Sequence, residues 1–226
     1  MTDIRRGFHE ELRELNDGVI RLAALVSQAI ENGTDAFLRA DLTAAERVIA
    51  ADAEIDELTG SIEDAAFQLL ALQQPMAVDL RNLVTIIRAI HEIERIGDNM
   101  VNIVKAARRL YPHQLDPKVR GLIQKMREQT IEQLRTAVSA FADRNVAQAA
   151  ALEDMDDVMD DLQKQLFRWI FAFHDDQEDT VQQAVQLALV GRYFERMADH
   201  AVNFGTRVPF MVTGVKPGEA ESGPAT

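Results

Sequence analysis

Eight carboxylates in this chain form four pairs at one spacing. Asp52 and Asp56, Glu94 and Asp98, Asp156 and Asp160, and Glu195 and Asp199 each stand four residues apart. On an α-helix that spacing is about 40° of azimuth, so both members of a pair project the same way. Like charges so placed cost a few tenths of a kcal/mol on an isolated helix. A bound cation would offset that cost, because carboxylate oxygens are ready ligands for hard and borderline metals. The plainer alternative is a solvated charged face. Arg88, Arg95, Arg192 and Arg196 stand near enough to supply ordinary salt bridges, each worth little. Fourfold repetition weighs against the plain alternative.

Two of the pairs sit in almost the same phrase. Residues 94–103 read ERIGDNMVNI and residues 195–204 read ERMADHAVNF, identical at five of ten positions. The likeness extends further. Shifting the first half by 104 residues places Phe37 on Phe141, Leu42 on Val146, Asp52 on Asp156, Asp56 on Asp160 and Leu58 on Leu162. Further along the offset falls to 101, and Glu94 meets Glu195, Asp98 meets Asp199 and Asn102 meets Asn203. The chain is a tandem duplication.

The elements that must position these pairs are helices. Gly and Pro are sparse before the last dozen residues, and no run shows the alternating, β-branched pattern of a strand. Helical periodicity covers 8–40, 43–72 and 78–110, with Gln74-Pro75 and Tyr111-Pro112 as breaks. A fourth helix opens at Asp116-Pro117 and reaches the turn Asp143-Arg144-Asn145. A fifth spans 146–173, stopped by His174-Asp175-Asp176, and a sixth spans 178–208. The expected fold is all-α, two tandem, pseudo-symmetric three-helix bundles. Residues 1–112 and 113–213 form the repeats, and 214–226 has the composition of a disordered tail.

Helix faces refine the view of the pairs. Ile86, Ile90, Ile93, Gly97 and Val104 make a core seam, with Glu94 at its edge and His91, Asp98, Asn102 and Lys105 on one flank. Those carboxylates would be partly shielded and in need of a partner. Glu195 and Asp199 instead fall nearly opposite the stripe Val190, Phe194, Met197, Ala201, Phe204 and Val208, where water alone could solvate them.

Composition narrows the function. The chain has 226 residues, 47% of them hydrophobic, and 37 acidic against 24 basic residues give a net charge of −13. That balance opposes nucleic acid as a partner and suits cations or a basic protein patch. Without cysteine there is no disulfide and no thiolate metal site. The N-terminus lacks the layout of a secretory signal, and no apolar run approaches the roughly 18 residues of a membrane span, so a cytoplasmic location is expected. Neither a G-x-x-x-x-G-K-[ST] loop to hold nucleotide nor a G-x-S-x-G elbow is present, so a hydrolase of that type is not expected.

With its two three-helix repeats, the stretch QQPMAVDLR at 73–81, ERIGDNMVNI and ERMADHAVNF, the chain resembles the PhoU family of phosphate-signalling regulators, most closely its actinobacterial members. The resemblance covers nearly the whole chain to about residue 214. It implies a helical adaptor rather than an enzyme, one that restrains the phosphate-starvation response and links the ATPase subunit of the phosphate ABC transporter to a membrane sensor histidine kinase. The protein would then be peripheral to the membrane through its partners, and a homodimer is compatible with the family. The resemblance also implies E(D)xxxD metal sites, with Glu94, Asp98, Glu195 and Asp199 as leading ligands and Asp52, Asp56, Asp156 and Asp160 facing them. The cation would be divalent or trivalent: iron, zinc, magnesium or another. The second repeat has DDQEDTVQQ where the first has QQPMAVDLR, so the two sites are expected to differ in affinity.

Two other classes are weaker. A carboxylate-bridged di-iron protein expects Glu-x-x-His on two helices of a four-helix bundle, and none of the five histidines has Glu three residues before it. A histidine phosphotransfer protein would use His91-Glu92, but His91 aligns with Arg192 and is not repeated. His200, beside Asp199, could complete a metal site or simply face a neighbour. Phe167, Trp169, Phe171 and Phe173 are expected to cap the second core, and Phe210-Met211-Val212 to pack back on the bundle.

Overall fold

The computed structural model describes residues 2–111, 115–172 and 178–215, which are helical almost throughout, with no strand among them. Seven helices follow one another: α1 (Thr2–Arg39), α2 (Leu42–Gln73), α3 (Val78–Leu110), α4 (Pro117–Ala142), α5 (Val146–Ala172), α6 (Glu178–Gly205) and α7 (Arg207–Thr213). Six were expected, and their breaks lie where the sequence signals stand. Asp116 caps α4 through the Lys118 N–H at 2.8 Å, with Pro117 in the first turn, where its missing N–H costs nothing. The stop at 174–176 and the greater part of the tail lie outside the described residues, as does the expected boundary at 112–113.

The duplication is visible in backbone detail. Between α1 and α2, Ala40 is left-handed (φ 52°), and the Asp41 N–H reaches back to the Ala36 carbonyl at 3.0 Å. Between α4 and α5, Arg144 is left-handed (φ 52°), and the Asn145 N–H reaches the Ala140 carbonyl at 2.8 Å. Asp41 and Asn145 then cap α2 and α5, accepting from Ala44 N–H at 2.9 Å and Gln148 N–H at 3.1 Å. Both turns are the same helix-ending motif followed by the same N-cap, 104 residues apart.

Within each repeat the three long helices pack on one another, and α3 packs on α6 and α1 on α4 across the repeats. Arg81 donates to the Met211 carbonyl at 3.4 Å, Glu92 bonds His200 at 2.8 Å and Arg109 bonds Gln186 at 3.5 Å, so α3 and α6 run antiparallel. Arg127 to Asp35 at 3.0 Å, together with Arg120 to the Leu38 carbonyl, sets α4 antiparallel to α1. The helices α1, α3, α6 and α4 therefore close a central four-helix ring, which two separate three-helix units would not supply. The buried side chains of both repeats run together as one cluster, with α2 and α5 on its flanks.

The last helix differs from expectation. The run to residue 208 is broken after Gly205, and α7 restarts at Arg207. Pro209 has no N–H to give the Gly205 carbonyl, but it is accepted in the first turn of a new helix. Val208 and Met211 are buried, with α7 laid against α3 and α5, so the segment after α6 does pack back. Phe167 and Trp169 also pack on the core as expected, whereas Phe171 is 77% exposed. Phe173 lies outside the described residues.

Candidate functional site

In the first repeat α2 brings Asp52 and Asp56 onto the flank of α3 that carries Glu94 and Asp98. Gly97 shows the contact directly: a methyl group there would stand 3.4 Å from Ile55 Cδ1 and 3.7 Å from Asp52 Oδ1. Asp52 and Glu94 are partly buried, and Asp56 and Asp98 are exposed. Burial, followed by the negative charges of Asp56 and Asp98, raises the Asp52 carboxyl above its ordinary 3.8, with Lys105 opposing. Burial and the charges of Asp98 and Asp56 likewise raise Glu94 above its ordinary 4.5, opposed by His91 and Arg95. Asp52 and Glu94 thus both feel the charges of Asp56 and Asp98.

The second repeat repeats the arrangement with different neighbours. Burial raises Asp156, a hydrogen bond from Gln133 pulls it back, and Asp199, Asp160 and Asp157 raise it again. Gln133, wholly buried on α4, donates through Nε2 to Asp156 Oδ1 at 3.3 Å. Burial raises Glu195 as well, then Asp199 raises it, Arg192 lowers it and Asp160 adds a smaller push upward. Lys164 lies 3.8 Å from Asp160.

Glu195 corrects the expectation of a solvated face. Only 13% of its side chain is exposed. One carboxylate oxygen, Oε1, accepts from Arg192, and the other, Oε2, is buried without a hydrogen-bond partner. The physical reason is that α6 packs against α3 and α4 on one side and α5 on another, so the side opposite its apolar stripe is covered too.

The histidines take structural roles here. His91 bonds Glu63 of α2 at 2.8 Å, fastening α2 to α3 beside the first set. His200 faces away from the second set and bonds Glu92 of α3 at 2.8 Å. Gln133 was not found by sequence reasoning and could not have been, because its counterpart in the first repeat is Ala29. Lys164 carried a usable signal, standing four residues after Asp160.

Among the described residues, no three His, Asp or Glu side chains are gathered closely enough to hold a metal ion. Negative charge is gathered instead. Each set offers hard oxygen donors whose mutual repulsion a cation would relieve, and Glu195 Oε2 is a buried acceptor with nothing donating to it. The donors are of the type a hard cation takes, but no three of them stand close enough to share one.

Comparison with known proteins bears on both the repeats and the fold. The PhoU domain family model matches residues 19–107 and again residues 123–208. These matches begin 104 residues apart and end 101 residues apart, the offsets at which the halves of the chain align. The chain is 40% identical over 221 residues to the phosphate-specific transport system accessory protein PhoU homolog 1 of Mycobacterium tuberculosis, covering 96% of this chain and 98% of that protein. Homolog 2 of the same organism is 37% identical, covering 95% of this chain and 100% of that protein. The crystal structure of the phosphate transport system regulatory protein PhoU from Streptococcus pneumoniae aligns with a TM-score of 0.84 at 28% identity, covering 92% of this chain and 98% of that one. PhoU from Pseudomonas aeruginosa has the same fold, with a TM-score of 0.85 at 24% identity, covering 92% of this chain and 100% of that one. A fold of two three-helix repeats, a family match to each repeat and relatives alike over almost their full length together place this chain in the PhoU domain family.

Proposed function

We propose that this protein is an accessory regulator of phosphate-specific transport that restrains the phosphate-starvation response. It would act as an adaptor between the ATPase subunit of the phosphate ABC transporter and a sensor histidine kinase. In this reading its carboxylate sets bind a divalent or trivalent cation. The names of the near-full-length relatives support the link to transport. No helix among the described residues is long and apolar enough to cross a membrane, which is compatible with a cytoplasmic protein held at the membrane by its partners.

The observation that carries the reading is the doubled carboxylate set. In each repeat two helices carry two acidic side chains each, in matching places. The more buried ones are raised by burial and by nearby carboxylates, although no three stand close enough to share an ion as they are. Asp52, Asp56, Glu94 and Asp98 would hold one cation, and Asp156, Asp160, Glu195 and Asp199 the other. The cation would supply positive charge, turning a repulsive patch into a docking surface for a basic or mixed partner face. Catalysis is not part of this reading.

Metal content after chelator stripping tests the sites, comparing wild type with Glu94→Gln/Asp98→Asn and Glu195→Gln/Asp199→Asn. Wild type is expected to take up metal, and each double variant to lose part of it while staying helical. Capture of the transporter ATPase subunit and of the cytoplasmic part of the kinase, with loaded and stripped protein, tests the adaptor role. Capture indifferent to metal would make the motifs a charged docking surface. Capture of neither partner would end the adaptor reading.

A further inference from the structure

Three of the chain's 24 basic residues line one groove of about 400 Å³ between α4 and α5, with Lys118, Gly121, Leu122 and Lys125 from one helix and Gln165, Arg168 and Trp169 from the other. Among the described residues none of these three cations forms an ion pair. Lys164, one turn before Arg168 on α5, does pair, at 3.3 Å from Asp161. Lys118 and Lys125 are seven residues apart on one face of α4, a rise of about 10.5 Å. The floor between them is apolar. Gly121 leaves it bare, since a Cβ there would meet nothing within 4 Å, and Leu122 and the partly buried Trp169 complete it.

This combination selects among anions. Inorganic phosphate could be gripped by these flexible lysines, but it would use only part of the groove and leave the apolar floor wet. A ligand that uses the whole groove needs several negative charges and a flat, weakly polar body. Aromatic rings stack on indole, and phosphate oxygens form charge-assisted hydrogen bonds with Lys and Arg. The volume falls at the lower end of the range for small-molecule sites. We propose that the α4–α5 groove binds a nucleoside polyphosphate, its base on the floor of Gly121, Leu122 and Trp169 and its phosphates among Lys118, Lys125 and Arg168. The activity is binding alone and is independent of the carboxylate sets.

Trp169 is the only tryptophan in the chain, so its fluorescence reports on this groove. Titration of the full chain with ATP is expected to give a saturable change in that signal at constant ionic strength. Inorganic triphosphate and adenosine, each half of the ligand, should bind far more weakly. The triple variant Lys118→Gln/Lys125→Gln/Arg168→Gln should weaken ATP binding by at least about tenfold, the scale of one or two lost charge-assisted bonds. Gly121→Leu places a side chain on the floor at a helical site with open space, so it should abolish binding with helicity intact. No saturable response to ATP would overturn the proposal, as would equal binding of inorganic triphosphate or undiminished binding by Gly121→Leu. A response confined to phosphatidylglycerol vesicles would overturn it in favour of a lipid surface.

Discussion

A carboxylate withdrawn from water beside other carboxylates holds its proton more tightly, and Asp52, Glu94, Asp156 and Glu195 are all in that position, each raised first by burial. A carboxyl that is weaker as an acid when folded than when unfolded favours the folded state where it is protonated. Its stabilisation is complete below the ordinary 3.8 or 4.5 and is lost as pH rises through the higher folded value. The metal-free protein should therefore gain stability from these four groups as pH falls from neutrality toward the ordinary carboxyl values, followed as a rising midpoint of thermal unfolding. Combined Glu94→Gln and Glu195→Gln substitution should flatten that rise, and a slope unchanged by it would show that the groups do not set it. The pairs themselves were legible in sequence, because spacing four on a helix is enough to place two side chains together. The burial of Glu195 was not legible. A helical wheel shows one apolar stripe and is silent on the opposite side, which the preceding helix α5 covers by its packing.

At the scale of the element, the two matched turns place residues with a Cβ in a left-handed conformation that glycine adopts without penalty. Ala40 and Arg144 do so with the same φ of 52°. Replacing either by glycine should remove roughly 1 kcal/mol of local strain, less the extra entropy glycine gives the unfolded chain. Ala40→Gly and Arg144→Gly are each expected to be neutral to stabilising by up to about 1 kcal/mol in denaturant unfolding, against the usual cost of glycine in a helix. A loss above that amount would mean the Cβ makes a contact that matters. The helix boundaries were legible wherever polar turn residues or proline stand between periodic runs. The sequence reading ends the last helix at Val208, before Pro209, whereas the break comes at Gly205 and a new helix starts at Arg207, because the apolar period runs on to Val208 across it. Periodicity identifies a buried face and is silent on whether one straight helix or two bent ones present it.

For the molecule as a whole, the central ring of α1, α3, α6 and α4 joins both repeats in one core. Unfolding should then be cooperative across the chain. Trp169 reports on the second repeat and helical circular dichroism on both, and the two transitions should coincide. Ile93→Ala in the first repeat, at a wholly buried site, should cost about 2–5 kcal/mol and shift the Trp169 transition equally. A Trp169 transition that ignores the substitution would reveal two independently stable halves. Sequence alone showed the duplication but not this ring, since a repeat declares which faces are apolar and leaves open which of them meet.

The contact between Glu92 and His200 carries a consequence for how such a chain can diversify. The operation that takes Glu92 to Tyr193 takes His200 to Asn99, so the positions related to that pair by the 101-residue offset hold Tyr193 and Asn99. Two identical half-length chains assembled as an isologous dimer would have to write both pairs alike. Fused into one polypeptide, the halves are released from that requirement: one side of the dyad holds an acid–imidazole bond, while Asn99 on the other turns inward to the Arg95 carbonyl. Covalent linkage thus lets a symmetric architecture acquire a left and a right.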